Sequence, residues 1–326
     1  MRRFLITGGA GFIGSNFIRF LLRSHPDISI VNLDKLTYAG NLENLKEIEN
    51  NLHYQFVKGD ICNARLMERL MQSADTVVHF ASETHVDRSI DSAEDFVQTN
   101  IVGTRALLDA ALKTRRMRRF IHFSTDEVYG AVREGYFTEE SPFRPTSPYA
   151  ASKAAADLMV QAYQKTHRIP AIILRGCNNF GPYQFPEKVI PLFITNLLEG
   201  KNIPIYARGE NSREWIYVED TCRAIYLAQE RGSVGDVYNV GSDFELKNIE
   251  LARRILGEMN SNDSRIAFVK DRPAHDLRYR LKSARIKQLG FQIESSFDVQ
   301  LRLTIDWYQK NKNWWKPLKK DRYTLK

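Results

Sequence analysis

Short apolar runs alternate with longer stretches of helical periodicity through the first half of the chain. Phe4 to Thr7 predicts a strand, and Ile13 to Arg23 then carries Ile13, Phe17, Phe20 and Leu21 at helical spacing. Ile28 to Leu33, His53 to Val57 and Thr76 to Phe80 predict three more strands. Ala93 to Lys113 predicts a long helix, Phe120 to Phe123 a fifth strand, Pro148 to Thr166 another long helix, and Ala171 to Leu174 a sixth strand. Strand–helix alternation with short loops predicts an α/β fold, a Rossmann-type doubly wound parallel sheet with helices on both faces.

Beyond about Arg175 the pattern changes. Asn, Gly, Pro and aromatic residues crowd the stretch NNFGPYQFPEK, and the alternation fades. Val237 to Val240 predicts a returning strand, and Lys247 to Met259 and Ser296 to Lys310 predict helices. We therefore expect one domain over residues 1–175, with a return segment near 215–240, and a smaller mixed α/β part over 176–326. Neither a repeat nor a low-complexity linker separates them, so the two parts should pack closely.

Composition narrows the class. Of 326 residues, 43% are hydrophobic and 26% charged, which fits a soluble globular protein and argues against disorder. The net charge of +8 invites a polyanionic partner. Two short segments carry it, however: Lys113 to Arg119 has five basic residues and no acid, and Lys310 to Lys326 nets +6. The other 302 residues net −3, so these read as two solvated patches and no nucleic acid is expected. Cys62, Cys177 and Cys222 lie far apart, which argues against a disulfide framework and a structural zinc site. No metal is expected. No run of about 18 apolar residues could span a membrane, and the basic–apolar start MRRFLI runs straight into glycines, as a first strand would. A cytoplasmic location and no membrane partner are expected.

The first strand runs into Thr7-Gly8-Gly9-Ala10-Gly11-Phe12-Ile13-Gly14, a G-x-x-G-x-x-G pattern opening a helix. Glycines there let a pyrophosphate approach the unpaired amides of the helix N-terminus. Asp34 follows Gly14 by twenty residues at the end of the second strand. A carboxylate there accepts hydrogen bonds from a ribose and repels a 2′-phosphate, favouring NAD over NADP. Asp60 after the third strand reads equally as an adenine contact or a turn residue.

Tyr149 and Lys153 form Y-x-x-x-K, which on a helix puts phenol and ammonium on one face. The ammonium is expected to lower the phenol's pKa and make it a base toward a hydroxyl proton. Ser124-Thr125-Asp126-Glu127 follows the fifth strand directly. Active groups gather beyond the carboxyl ends of parallel strands. Two adjacent carboxyls whose environments separate their pKa values can act as base and acid. Oxidising a sugar carbon to a ketone acidifies the hydrogen next to it. One carboxyl can remove that hydrogen while the other helps a hydroxyl leave, which is a dehydration.

These residues resemble the extended short-chain dehydrogenase/reductase superfamily and, within it, the dTDP-glucose 4,6-dehydratases. The likeness runs through TGGAGFIGSN, LDKLTYAGNL, SETHVDRSI, STDEVYG, YAASKAAAD, NNFGPYQFPEKVIP, REWIYVED, HDLRY and the terminal NWWKPL. The resemblance implies a redox cycle on one bound NAD, with Tyr149, Lys153, Thr125, Asp126 and Glu127 catalytic. It implies dinucleotide contacts at Gly8, Gly11, Phe12, Ile13, Gly14, Asp34, Lys35, Thr37, Asp60, Ile61 and Thr99, together with Tyr149 and Lys153. Ser82, Thr84, Asn179, Lys188, Arg213 and Asn248 are the implied contacts to a nucleoside-diphosphate sugar, held mainly by residues 176–326. It also implies a homodimer, built on the two long helices. Related epimerases and decarboxylases share the glycine and Y-x-x-x-K motifs but usually lack an acid at the position of Asp126. A dehydratase is therefore expected over an epimerase, a decarboxylase or a catalytically silent NAD-binding regulator. Ala207-Arg208-Gly209, Glu214, Gly176-Cys177 and Arg272-Pro273-Ala274 depart from the family pattern around the nucleotide pocket, which leaves thymidine or uridine open.

Overall fold

The computed structural model describes residues 1–114, 116–271 and 275–319. In chain order the strands are β1 (Arg2–Thr7), β2 (Ile28–Asp34), β3 (Tyr54–Lys58), β4 (Thr76–His79), β5 (Arg119–Thr125) and β6 (Ala171–Gly176). They continue with β7 (Asn178–Phe180), β8 (Ile203–Tyr206), β9 (Ser212–Tyr217), β10 (Val237–Val240), β11 (Glu245–Lys247) and β12 (Ile266–Val269). The helices that matter below are α1 (Phe12–Ser24), α2 (Ala64–Met71), α3 (Val86–Asp91), α4 (Thr104–Leu112), α5 (Pro148–His167), α6 (Val189–Leu198), α7 (Val218–Arg231), α8 (Asn248–Glu258) and α9 (Phe297–Lys310).

Seven strands form one sheet in the order β10-β6-β5-β4-β1-β2-β3, every neighbouring pair parallel. This is the doubly wound fold that the alternation predicts, and Val237–Val240 is the returning strand. The chain reverses its winding between β1 and β4, which opens a crevice at their carboxyl ends. The central strands are buried on both faces because helices cover both. Phe17, Ile18 and Leu21 of α1 pack with Cys222, Ile225 and Ala228 of α7 on one side. Met67 and Met71 of α2, Leu107 and Leu108 of α4 and Val160 of α5 pack on the other.

The stretch Ala93–Lys113 is helical but not uniformly α. Glu94–Phe96 passes into a π-helical segment, Val97–Gly103, before α4 begins. Periodicity alone does not reveal this wide turn. Inside it, Asn100 donates its amide to Ser152 Oγ (2.8 Å) and to the Glu83 carbonyl (3.1 Å), bonds that tie the segment to α5 and the crevice. Helix α5 starts where its sequence says it should: Ser147 accepts from the Ala150 amide (3.1 Å), Pro148 takes the first turn, and Arg168 ends it in a left-handed conformation. Tyr149 and Lys153 therefore sit in its first two turns, beside the end of β5.

The remaining elements build a second core of their own. Phe180, Phe193, Trp215, Leu251, Leu301, Tyr308 and Trp315 meet between β9, α6, α8 and α9. Trp315 and Tyr308 are wholly buried, so the aromatic residues near the end of the chain join this core while Lys310, Lys312 and Lys316 stay exposed. Lys319 pairs with Glu199 (3.0 Å), and residues 320–326 lie outside the described residues. In the other basic cluster Lys113 pairs with Glu68 (2.5 Å) and Arg116 with Asp75 (2.7 Å). Among the described residues, no helix is long and apolar enough to cross a membrane.

Candidate active site

The crevice carries a phosphate-sized approach built from missing side chains. Gly8 has φ +73°, and a Cβ there would meet the Ala81 amide nitrogen at 2.5 Å. A Cβ on Gly14 would meet the Gly8 carbonyl at 2.4 Å. Only glycine lets this loop fold against itself. Gly11 caps α1 without a side-chain acceptor. The first amides of the helix are thus left to an anion. Asp34 is 8% exposed. Its two oxygens accept from the amides of Ala10 (2.9 Å) and Leu36 (2.8 Å). Burial raises its pKa, and these two bonds oppose the rise. Lys35 reaches Asp60 (2.8 Å), which also accepts from the Cys62 amide. Phe12, Ile13, Thr37, Ile61 and Thr99 line the same cleft as Gly8, Gly11, Gly14, Asp34, Lys35 and Asp60. A cradle of bare backbone, free helix amides and a carboxylate one strand away fits a dinucleotide.

The reactive groups meet at the floor of this cleft. Thr125 ends β5 and caps the 3-10 turn Asp126–Tyr129, accepting from the Glu127 amide (3.3 Å) and donating to Asp126 Oδ1 (3.2 Å). Asp126 is 2% exposed, and its Oδ2 has no hydrogen-bond partner among the described residues. Burial, reinforced by the nearby Glu127 and Glu214 carboxylates, pushes the Asp126 carboxyl well above its ordinary range. It therefore holds its proton to higher pH than an ordinary aspartate, which suits a proton donor. Glu127, Thr125, Tyr149 and Lys153 line the cleft with it.

The Tyr–Lys pair departs from expectation. Lys153 is buried and donates to the Phe123 carbonyl at 2.8 Å. Burial lowers its pKa to about 8. The Tyr149 phenol is raised, not lowered: burial and the charge of Glu127 outweigh a hydrogen bond with Thr125. Sequence spacing places the ammonium on the right face, but not which acceptor it chooses. Without a bound cation the phenol faces two carboxyls and stays protonated.

Ser82, Thr84, Asn179 and Lys188 also line the cleft. Asn179 is fixed by the Thr221 hydroxyl (2.6 Å) and the Cys177 carbonyl (2.9 Å). Arg213 and Asn248 do not line it. The Arg213 guanidinium donates to the carbonyls of Ser212 (2.7 Å) and Asp276 (3.0 Å) and lies over the Tyr279 ring at 4.3 Å. Asn248 opens α8 with its amide on the Asn211 carbonyl (2.9 Å). Arg272-Pro273-Ala274 lies outside the described residues.

The structure adds residues that motif reading passed over. Tyr38 donates to Glu187 Oε1 (3.1 Å) across the cleft and is covered by the Arg88 guanidinium at 3.7 Å from its ring. Beneath Lys153, Asp157 accepts from Arg175 Nε (2.8 Å) and faces His122 Nε2 (3.3 Å). The signal for Asp157 was present, since it follows Lys153 by one more helical turn on the same face. Among the described residues no group of three His, Cys, Asp or Glu could hold a metal ion.

Comparison with known proteins accords with this geometry. A family model described as GDP-mannose 4,6 dehydratase matches residues 5–304. The chain belongs to this family. It is similar to the dTDP-glucose 4,6-dehydratase of Streptomyces niveus, 48% identical over 322 residues that cover 97% of this chain and 96% of that one. The low-salt glycan biosynthesis protein Agl12 of Haloferax volcanii is 49% identical over 304 residues, 93% of this chain and 97% of that one. The solved structure of DesIV, the dTDP-glucose 4,6-dehydratase of Streptomyces venezuelae, carries bound NAD. It superposes with a TM-score of 0.95 at 47% identity, covering 97% of this chain and all of DesIV. Within the 4,6-dehydratase family, the buried acid at Asp126 is the feature to explain.

Proposed function

We propose that the chain is an NAD-dependent hydro-lyase that converts dTDP-glucose to dTDP-4-keto-6-deoxyglucose. The observation that carries this reading is Asp126, a buried carboxyl whose pKa is pushed well up beside Glu127, within the cleft that contains Tyr149 and Lys153. The relatives with this activity cover almost the whole chain.

The backbone of Gly8 to Gly14, the amides of Phe12 and Ile13, and Asp34, Lys35, Thr37, Asp60, Ile61 and Thr99 would hold the dinucleotide. When bound, NAD supplies a hydride acceptor at sugar carbon 4, a donor at carbon 6, and a positive ring beside Tyr149. Tyr149 takes the proton of the 4-hydroxyl, and Thr125 hydrogen-bonds the same oxygen. Lys153 holds the ribose hydroxyls and keeps a positive charge near the phenol. Glu127 removes the carbon-5 proton, made acidic by the adjacent ketone. Asp126 gives its proton to the departing 6-hydroxyl, so that water leaves across carbons 5 and 6, and Glu127 returns its proton to carbon 5 as hydride comes back to carbon 6. The residues before Arg175 with the returning strand β10 form the dinucleotide half. Residues 176–326 mainly receive the nucleotide, with Asn179 and Lys188 of the cleft toward its phosphates and ribose, and Ser82 and Thr84 toward the sugar. A lysine suits a diphosphate through charge-assisted bonds. The protein works in the cytoplasm as a homodimer, with α4 and α5 meeting their symmetry mates through exposed Leu112 and Leu158.

Purified protein should convert dTDP-glucose with loss of one water, without consuming added cofactor, as read by mass spectrometry. UDP-glucose is the second substrate to assay, because Glu214 and Ala207-Arg208-Gly209 depart from the usual nucleotide-side pattern. If dTDP-, UDP- and CDP-glucose all return unchanged from NAD-loaded protein, the reading fails. A monomer in scattering would remove the dimer.

A further inference from the structure

The terminal aromatic stretch takes no part in the chemistry above, yet it reaches the glycine loop. The Trp314 indole Nε1–H donates to Asn44 Oδ1 at 2.8 Å, and Asn44 Nδ2–H donates to the Ala10 carbonyl at 2.9 Å. Asn44 is 1% exposed. An indole can only donate. It therefore fixes which end of the Asn44 amide is oxygen, and so turns the NH₂ group toward Ala10. The Ala10 carbonyl also accepts from the Asn41 amide (3.0 Å), while the Ala10 amide donates to Asp34 (2.9 Å). Ala10 is thus held from one side by the ribose acid and from the other by a residue that Trp314 orients.

The same tryptophan also reaches the wall of the cleft. The Asn44 carbonyl accepts from Arg19 Nε (2.9 Å), and the Arg19 guanidinium lies 4.3 Å from the Tyr183 ring centroid. Tyr183 lines the cleft, has φ +66°, and packs against Trp307 (4.6 Å) and Trp314 (5.7 Å). Trp315 anchors this box, donating to the Tyr308 carbonyl (2.8 Å) from a fully buried position.

We propose that Trp314 and Asn44 are positioning residues for the dinucleotide's phosphate loop, and that the C-terminal aromatic segment serves to retain the cofactor. The proposal rests on the NAD reading above. Its logic follows from the redox cycle, which restores NAD at the end of each turnover and so gains nothing from releasing it. A loop whose central carbonyl is pinned loses less freedom when it closes on a diphosphate, and the ligand leaves more slowly.

The test is the rate at which NAD leaves the loaded full-length protein, followed by exchange against isotopically labelled NAD. W314F keeps the ring and loses the donor. N44D keeps the acceptor for Trp314 and loses the donor to Ala10. Each should speed NAD release by about 3–10-fold, the worth of one such hydrogen bond. The double variant should release no faster than the faster single, because both break one relay. A merely structural role would lower the thermal midpoint and leave the release rate alone. Unchanged release in folded W314F and N44D, or multiplied effects in the double variant, would overturn the proposal. If W314F does not fold, N44D decides. Protein that holds NAD but dehydrates no sugar would break the catalytic reading while leaving this one standing.

Discussion

Two buried aspartates flank the catalytic Lys153 region, one at the end of β5 and one in α5. Asp126 stands at the carboxyl end of β5, 2% exposed, and Asp157 lies in α5 beneath Lys153, fully buried. Burial pushes both toward the neutral form. In Asp126 it wins, because Glu127 and Glu214 add negative charge and Oδ2 has no donor among the described residues. In Asp157 it loses. Hydrogen bonds and charge from His122 and Arg175 hold that carboxyl at about 2. One residue type thus becomes a proton donor or a fixed anion according to whether nearby carboxylates or a directly bonded guanidinium dominate its surroundings. A catalytic acid is made here by burial beside like charge, with no cation among the described residues bonded to it directly.

The largest break in this contrast comes at Asp126. D126N keeps the shape and removes the transferable proton. Elimination of water should slow by about 10²–10⁴-fold, the usual worth of a positioned acid. Formation of the reduced nicotinamide in a single turnover should change far less. Equal loss of both steps would make Asp126 structural. At Asp157 the loss appears in stability instead. D157N leaves Arg175 buried without its anion and should cost about 3–5 kcal/mol in denaturant unfolding. D157N/R175M removes the stranded charge as well and should recover part of that loss.

These two sites also mark how far the sequence could be read. The parallel sheet, the glycine loop and the catalytic cluster were legible because each is local: a strand, then a turn, then a helix, with the chemistry at the junction. Thr125, Asp126 and Glu127 are consecutive, and Tyr149 and Lys153 share one helical face. Partnerships across the fold were not legible. The Asp157–Arg175 pair joins a helix to a strand 18 residues later, and Trp314 reaches Asn44 across 270 residues. The direction of the Tyr149 shift was misread for the same reason. It depends on burial and on the nearby Glu127 carboxylate, both of which arise from tertiary packing.

Lys153 offers the next test, with two readouts of opposite sign. Burial lowers its pKa from 10.5 to about 8. Above pH 8 the native state sheds a proton that the unfolded chain still holds, so stability gains with rising pH up to about 10.5. That contribution is about 3 kcal/mol at 1.36 kcal/mol per pKa unit, measured on protein stripped of dinucleotide. Activity should move the other way, falling as pH rises through about 8 because the charge beside Tyr149 is lost. K153M should abolish activity and flatten the stability gain together. A stability curve for K153M that still rises like the wild type would assign the titration elsewhere.

The smallest effect separates the two aspartates on the acid side. Asp157 has a folded pKa of about 2 against an unfolded value near 3.8. Below about pH 4 the unfolded chain binds the proton first, so this contribution, roughly 2–3 kcal/mol, is present above that pH and is lost as pH falls toward 2. Asp126 runs in the opposite sense, since its folded pKa lies above its unfolded one. In the window above about pH 4, up to that raised value, the native state holds a proton that the unfolded chain has released. Acidification from neutrality therefore first adds stability through Asp126 and then removes it through Asp157. Unfolding free energies measured from pH 7 to pH 2 should show the rise missing in D126N and the fall blunted in D157N/R175M. If the two variants change the same limb, the aspartates share one electrostatic environment and the contrast between them is wrong.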